Sequence, residues 1–590
     1  MAPSPFKKHY ILPLICGFLA LIPPLIYVFC VQINAVNFPF LDEWTLVDFY
    51  LKLTSGSVSL EDILAFHNEH RIVSLWLIFL MVSTISTGWY SKTLMLISCA
   101  IAIASFMLLI LLSWQQLQSL RSESTAFAKQ LNLFSLSILA TSCLLFCPSQ
   151  YENWLWGFQV PWFLINFTLI GAVVSLYFFA RNQRIYCFLA AMILCFLASF
   201  SLAQGLFLWV VCLPMLFPKE QTKKNKIVFP IVWIGTAAVT FLLYFNFYAR
   251  LNDSQGLDRF TGKPSASLDF FFNIIGNAFG RGGLSSFVLG LIIAFSFLGL
   301  VGICYKQSAK VWHEALPWVS IGLFPIMFAA ITTLGRMGFG SSAAVASRYS
   351  TVTLLLPICI VQLLRILLSQ NQKPLQATKR LMVACVLSGF ILSSLMSGYE
   401  TGLLEARQIL HVRSQGQACL ALYRYIESEV AHQCVIDNNF PVPSFPLEVM
   451  QNLHDQDLFM LSPASLTVVD QPITGELEAI RVDRDDAQMA IIIEGWVFAD
   501  ENSGIVLLSA DNGESFFSLA NIRVRRGDIA KAHSSRYLNT GWQATVLMSE
   551  IPNNAETITA YFYDLEQYGV SKFGQAELPQ IDPKEVSIST

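Results

Sequence analysis

Charge is what this sequence has least of. Asp, Glu, Lys and Arg make up 13% of its 590 residues, against about 25% in ordinary soluble domains. With 54% apolar residues and a mean hydropathy of +0.55, the chain needs something other than water to solvate its apolar surface, and lipid is the simplest solvent. A net charge of −3 supplies no field that would attract a nucleic acid. A clear cleavage signal is missing too: the apolar stretch 10–31 is long for a leader, contains Pro23-Pro24, and has no small-x-small triplet after it, so it reads as a retained span. No repeat of 20–50 residues is visible, and no recognised metal-ligand spacing. The 13 cysteines carry little redox meaning, because all but Cys419 and Cys434 lie in or beside hydrophobic segments, where the thiol behaves as a small apolar group. Those two are candidates for a disulfide if the tail faces an oxidising compartment.

What is present is a series of long apolar runs. A bilayer core about 30 Å thick needs about 20 apolar residues per helix. Windows of that length fall near 10–31, 71–88, 94–114, 132–147, 161–180, 185–201, 203–217, 227–249, 284–304, 314–334, 351–370 and 381–398. The expected fold is therefore mostly α, a polytopic transmembrane bundle of about 11–13 spans, followed by an extracytoplasmic α+β domain. Residues 1–398 form the membrane body with a first external loop at 32–70. Residues 399–473 form a helical and linker region, and 474–590 a small β-sandwich.

Orientation follows from Lys and Arg in short loops. Lys7-Lys8, the loop with Lys219, Lys223, Lys224 and Lys226, the loop with Lys306 and Lys310, and the loop with Arg365, Lys373, Lys379 and Arg380 read as cytoplasmic. Loop 32–70 and the C-terminal domain then lie outside. Between loop 32–70 and Lys219 an odd number of crossings is required, whereas the windows supply an even one. The short pairs 71–88/94–114 and 185–201/203–217 are the suspects, the first pair if 115–130 is cytoplasmic and Tyr151-Glu152-Asn153-Trp154 is outside. Past residue 399, apolar spacing of 3.6 predicts helix over 402–435. Alternation then predicts strands at Ala490–Phe498, Gly504–Ser509, Trp542–Met548 and Thr557–Tyr563, separated by Asp-Asn-Gly and Pro-Asn-Asn turns.

Four clusters stand out against this apolar background. Asp42-Glu43 is bracketed by Phe38, Phe40, Leu41 and Trp44, and His67, Glu69, His70 and Arg71 abut the second window. Both could be no more than a solvated loop, but the aromatic bracket would hold the carboxylates near the interface. Glu152, Asn153 and Gln159 sit among Tyr151, Trp154 and Trp156, where an interfacial aromatic belt is the plain alternative. Arg336, and then Ser347-Arg348-Tyr349, place arginines on the outer side, where the charge bias disfavours them. An anionic partner such as a lipid phosphate would account for them; snorkelling to head groups would as well. On this count the charges concentrate at one membrane face.

Together these residues resemble the C-type superfamily of membrane glycosyltransferases, which includes protein O-mannosyltransferases and aminoarabinose lipid A transferases. The resemblance covers residues 1–400 and rests on Asp42-Glu43-Trp44, His67-Asn68-Glu69-His70-Arg71, the run Glu152–Gln159, and Ser347-Arg348-Tyr349. In the tail, Glu494-Gly495-Trp496, Arg526-Gly527-Asp528 and Gly541-Trp542 resemble a β-domain appended to some bacterial glycosyltransferases; Arg526-Gly527-Asp528 is read as strand-to-turn chemistry rather than an adhesion motif. The resemblance implies an enzyme of the bacterial inner membrane. It would take a polyprenyl-phosphate sugar and transfer the sugar to a glycan, lipid or protein on the outer face. Asp42 would be the general base, with Glu43 as alternate and Glu152 positioning the acceptor or sharing that role. Arg348 and Arg71, assisted by His67 or His70, would stabilise the leaving phosphate, with Glu69, Asn153, Gln159, Arg336 and Tyr349 lining the substrate. The sequence assigns no cofactor, and a divalent metal on Glu69, His67 and Asp42 is one open arrangement. The rivals are a transporter or flippase of lipid-linked saccharides, which would need ionisable residues inside spans, and an O-antigen polymerase or ligase, whose key residues would lie in loop 250–283 (Arg250, Arg259, Arg281).

Overall fold

The computed structural model describes residues 10–85, 90–119, 124–217, 225–246, 262–280, 282–370, 374–422, 426, 430, 433–436, 467–468, 473–483, 490–498, 504–534, 537–552, 555–564 and 569–579. Arg250, Arg259, Arg281 and the lysines at 7, 8, 219, 223 and 224 lie outside the described residues. The chain divides into two units. The first comprises Met1–Ala35, Asp48–Ile85 and Ser91–Ala406; the second comprises Val36–Val47, Ser86–Tyr90 and Arg407–Thr590.

The first unit is helical. Among the described residues eight helices are long and apolar enough to cross a membrane: Ile11–Asn34, Ser91–Gln118, Phe127–Trp154, Gly157–Asn182, Lys226–Phe245, Gly283–Gln307, Ala309–Phe339 and Ser347–Leu368. Their outward faces carry side chains that water would not tolerate in such density, among them Phe18, Leu25, Leu242 and Phe295, as expected of a multi-pass membrane protein. Pro23 and Pro24 do not break the first span because they stand at the start of the Ile22–Asn34 segment, where a missing N–H costs nothing.

The expected 11–13 spans shrink for a physical reason. Val73–Ile85 is a helix of 13 residues, Ile185–Ser199 one of 15, and Ala203–Leu216 a chain of short turns. At 1.5 Å per residue the first two measure about 20 and 22 Å, well under the 30 Å of a bilayer core. Hydropathy windows register apolarity, not helix length. Window 381–398 falls within one helix, Pro374–Ala421; most of its side chains there lie outside the described residues.

These short elements also close the crossing count. Lys92 Nζ donates to the Gln32 carbonyl at 3.2 Å, so the Ser91–Gln118 span begins beside the end of the first span and Val73–Ile85 adds no crossing. Ser74 N–H donates to the Phe200 carbonyl (3.1 Å) and Ala203 N–H to His70 Nδ1 (3.2 Å), so Ile185–Ser199 reaches the level of residues 70–74 and Ala203–Leu216 returns. Gly205 makes that turn possible, since a Cβ there would lie 1.9 Å from the Ala198 carbonyl oxygen. Among the described residues three full crossings remain between loop 32–70 and residue 218, an odd number, as the charge bias requires.

The charges do not gather at one end. Glu314 takes Arg181 Nη2 at 2.9 Å and the Tyr177 hydroxyl at 3.2 Å. Gln116 donates to the Glu314 carbonyl (2.8 Å) and accepts from Trp318 (3.0 Å) and Arg365 (2.5 Å), while Arg365 Nε donates to Gln362 (2.7 Å). These residues lie near the ends of their helices opposite to Glu152, Arg336 and Arg348. The expectation of charge at a single face is thus corrected: a buried polar layer joins four spans at the other end. Composition hid it because each span contributes only one or two such groups.

The second unit is built on a β-sandwich. Its strands are β1 (Thr467–Val468), β2 (Gly475–Asp483), β3 (Ala490–Val497), β4 (Gly504–Ser509), β5 (Ser518–Ala520), β6 (Ile522–Val524), β7 (Gly541–Leu547), β8 (Thr557–Asp564) and β9 (Gly569–Glu577). One sheet runs β1-β9-β8-β4-β5 and the other β2-β3-β7-β6. All pairings are antiparallel except the short β1–β9 pair. The four strands expected from alternation are present within a residue at each end. β2, in which charged residues recur, the Gly-containing β9, and the short β1, β5 and β6 escaped that reading. Ile491, Ile493, Trp542, Ala544 and Val546 from one sheet meet Val506, Leu508, Ile558, Ala560 and Phe562 from the other to form the core. Arg526 ends the β6 segment and grips Glu478 with both terminal nitrogens (2.7 and 2.9 Å) and Asp528 beside it. The Arg526-Gly527-Asp528 tripeptide is therefore the strand-to-helix turn that its sequence implied, opening the Gly527–Ala532 helix.

Candidate functional site

Within the second unit, segment 36–47 presents the acidic pair. Leu41 has φ +48°, a left-handed conformation that a leucine adopts at a cost, and it turns the chain into the Glu43–Thr54 helix. Glu43 caps that helix by accepting from Phe40 N–H at 2.9 Å. It is also fully buried against Arg413, itself fully buried, with Nη2 2.9 Å from Oε2. Arg413 further donates to the Phe38 carbonyl (3.2 Å) and lies over the Phe40 ring. Glu43 is thereby committed to holding the segment, which removes it as alternate base. Asp42, one residue earlier, is partly exposed and is the carboxylate of the pair that solvent can reach. Arg413 was invisible as a functional residue in the sequence, where it reads as a helix charge.

The remaining clusters belong to the first unit. His67–His70 forms a tight backbone turn (His67 N–H to His70 carbonyl 2.8 Å, the reverse 3.0 Å) with Asn68 at φ +53°. From it Glu69 pairs with Arg336, 267 residues away in the chain, and stands 3.6 Å from His70 Nε2. Because His70 Nδ1 accepts from Ala203 N–H, the ring hydrogen of the neutral form sits on Nε2, facing Glu69. Burial pushes the Glu69 carboxyl up, but the neighbouring His70 ring and the Arg336 guanidinium paired with it outweigh that and hold the group below its ordinary value. His67 packs its ring against Phe158 at 5.0 Å.

Arg71 departs from its expected role. Its guanidinium donates to the carbonyls of Tyr244 (2.8 Å), Leu64 and Asn246 and lies 4.0 Å over the Phe66 ring. Each of its three guanidinium nitrogens holds a backbone carbonyl, so Arg71 staples this segment, and at most two of its five N–H groups remain for another partner.

The third and fourth clusters lock together. Arg348 gives Nη1 to Glu152 Oε1 at 2.7 Å and its backbone N–H to Oε2 at 3.1 Å. Ser347 donates to the Ser149 carbonyl (2.8 Å) and accepts from Glu152 N–H (3.3 Å). Asn153 donates to the Arg348 carbonyl (2.8 Å) and Thr351 (2.7 Å), and Thr351 donates to Gln150 (2.9 Å). Gln159 and Tyr349 are buried, the latter between Trp162 and Phe328 rings, which makes them packing residues here. Arg348 and Arg336 each remain about a third exposed, at 35% and 33%. Both clusters lie at the bundle end where the first span finishes: Ser142 donates to the Ala20 carbonyl (2.6 Å) and Trp154 stacks on Tyr27 (4.1 Å), so those two spans run in the same direction.

A cavity of about 330 Å³ opens beside the Glu152–Arg348 lock. Its polar lining is Ser149, Tyr151, Asn277, Ser347, Thr401 and Glu405. The Pro374–Ala421 helix forms one wall, seated closely because a Cβ on Gly402 would lie 2.2 Å from the Pro148 carbonyl. No sequence pattern pointed to this wall, which Ser397, Gly398, Thr401, Gly402, Leu404 and Glu405 form on one short stretch of the helix.

Among the described residues no group of three or more His, Cys, Asp or Glu side chains is gathered to hold a metal ion; Glu69 is engaged by Arg336. In the second unit Cys419 and Cys434 form a disulfide, with Cα atoms 5.7 Å apart. No family model matches the sequence, and no curated protein does.

Proposed function

We propose that this chain is a membrane glycosyltransferase of the C-type kind, moving a sugar from a polyprenyl-phosphate donor to a hydroxyl of a glycan, lipid or protein at the outer face of a bacterial inner membrane. One observation carries the reading. Polar clusters singled out in the sequence, far apart along it, pair with one another at one end of the bundle: Glu69 with Arg336 and Glu152 with Arg348. Each arginine is held by a carboxylate yet partly exposed, as a site for an anionic leaving group requires.

In this reading Arg336 and Arg348 stabilise the phosphate as the glycosidic bond to it breaks. Asp42 takes the acceptor hydroxyl proton while the acceptor oxygen bonds to the sugar carbon, and the polyprenyl phosphate leaves with the bonding pair. Glu152 aims Arg348 rather than acting as base. The Cys419–Cys434 disulfide supports an extracytoplasmic position for the C-terminal domain, since such bonds persist in oxidising compartments. A carrier of lipid-linked saccharides gains one observation, the ionisable layer of Glu314 and Arg365 within the spans. Those groups satisfy one another, which favours a structural role and keeps the transferase reading ahead.

The test is Asp42→Asn, assayed for transfer from lipid-linked sugars in membranes. Loss of transfer by about 10²-fold or more is expected, the usual worth of a general base, with expression and thermal stability unchanged. Full activity would overturn the assignment.

A further inference from the structure

The cavity on the helix wall contains a carboxylate that the mechanism above does not use. Glu405 lines it and makes no hydrogen bond or ion pair among the described residues. Thr401 Oγ1, one turn earlier on the same wall, is buried and likewise has no partner among them. Asn277 spends its amide N–H on the Ala346 carbonyl at 2.6 Å, which leaves its carbonyl oxygen available. Buried polar groups are normally paired, so a ligand that hydrogen-bonds to the hydroxyl, phenol, amide and carboxylate groups around this void would satisfy Thr401 Oγ1. The void, about 330 Å³, lies at the small end of the range for small-molecule sites.

Its chemistry selects the ligand. One carboxylate among four hydroxyl-bearing side chains and an amide offers acceptors and exchangeable donors, but no fixed cation. A phosphate or another acid would be repelled by Glu405. A polyhydroxylated ring matches instead, with its hydroxyls donating to Glu405 and Asn277 and exchanging hydrogen bonds with Thr401, Ser149 and Tyr151. Ser347 joins this wall to the lock that aims Arg348, because the same hydroxyl accepts from Glu152 N–H.

We infer that this cavity binds the saccharide end of the acceptor, with Glu405 as its principal hydrogen-bond acceptor. The inference rests on the transferase reading for the word acceptor, but saccharide binding can be measured without turnover. The full chain is placed in lipid nanodiscs, which avoids sugar-headed detergents, and free galactose, N-acetylglucosamine and maltose are titrated by saturation-transfer difference NMR. At least one sugar should give a signal in the native protein. Glu405→Gln should weaken it about tenfold, as expected for loss of a hydrogen bond to a charged group, and Thr401→Phe, which fills the void, should abolish it. The signal is read without donor or turnover, whereas the transferase reading stands or falls on the Asp42→Asn transfer assay, so a failed transferase reading and a failed binding site give different results. No signal from any sugar, equal signals in the native protein and both cavity variants, or displacement of the sugar by millimolar ethanolamine would overturn the inference.

Discussion

Glu43 and Arg413 provide the sharpest test of the local physics. Both side chains are 0% exposed and meet at 2.9 Å, and burial pulls the Arg413 guanidinium down against the upward pull of Glu43. Removing one partner leaves the other charge in a dry environment, at a cost of about 3–5 kcal/mol, while replacing both with apolar residues of similar volume is neutral or stabilising. Glu43→Gln and Arg413→Met should each shift the folded-to-unfolded ratio of this unit by about two to four orders of magnitude. Glu43→Leu with Arg413→Met should recover most of the loss, a coupling of several kcal/mol in a double-mutant cycle. The assay is protease susceptibility of the full chain in nanodiscs, read at cleavage sites within 407–590, with Arg526→Gln as a control for a surface ion pair. Additive single effects, or a Glu43→Gln protein that is fully stable yet inactive, would refute the structural role and return Glu43 to the list of bases.

Three further outcomes follow from geometry already described. Arg71→Lys should destabilise the first unit by about 1–3 kcal/mol through unsatisfied carbonyls, lowering the thermal midpoint without raising the KM for lipid-linked donor. Opening Cys419–Cys434, a separation of 15 residues, with Cys419→Ser and Cys434→Ser should cost about 3 kcal/mol; in the native protein, maleimide should label neither thiol until a reductant is added. Glu69 has a depressed pKa when folded, so its contribution is complete above the ordinary carboxylate value of about 4.3 and is lost as pH falls through the lower folded value. The thermal midpoints of the native protein and Arg336→Gln should therefore differ most at neutral pH and converge under strong acid. A difference that grows on acidification would contradict the pairing.

Much of the architecture was legible because it is written in composition. Lipid solvation demands apolar windows, and alternation in 490–498 and 557–563 demands a half-buried sheet. What escaped depends on distance in three dimensions. Val73–Ile85 and Ala203–Leu216 are apolar enough to span but are not long, continuous helices. Arg71 looked like a phosphate ligand because nothing in the sequence marks the carbonyls it binds; three of them, at or just past helix ends, converge on it. Glu43 and Asp42 are indistinguishable as letters, and only Arg413, some 370 residues on, separates their fates. Glu405 has no motif around it, and its interest lies entirely in what the Pro148–Tyr151 and Asn277–Gly280 segments bring near it.

The polar layer of Gln116, Arg181, Glu314 and Arg365 has a consequence for biosynthesis. Each of these side chains enters the bilayer on a different helix, and an isolated arginine at the centre of a span costs about 2.5–3.5 kcal/mol to insert. Arg365 stands near the end of its span, which moderates that cost, yet its hydrogen-bonding partners are supplied by Gln362 in its own helix and by Gln116 from a span made some 250 residues earlier. The last span of this layer therefore settles only after the earlier ones are in place and correctly rotated. Until then Gln116 lacks the arginine that its side-chain oxygen holds in the finished bundle.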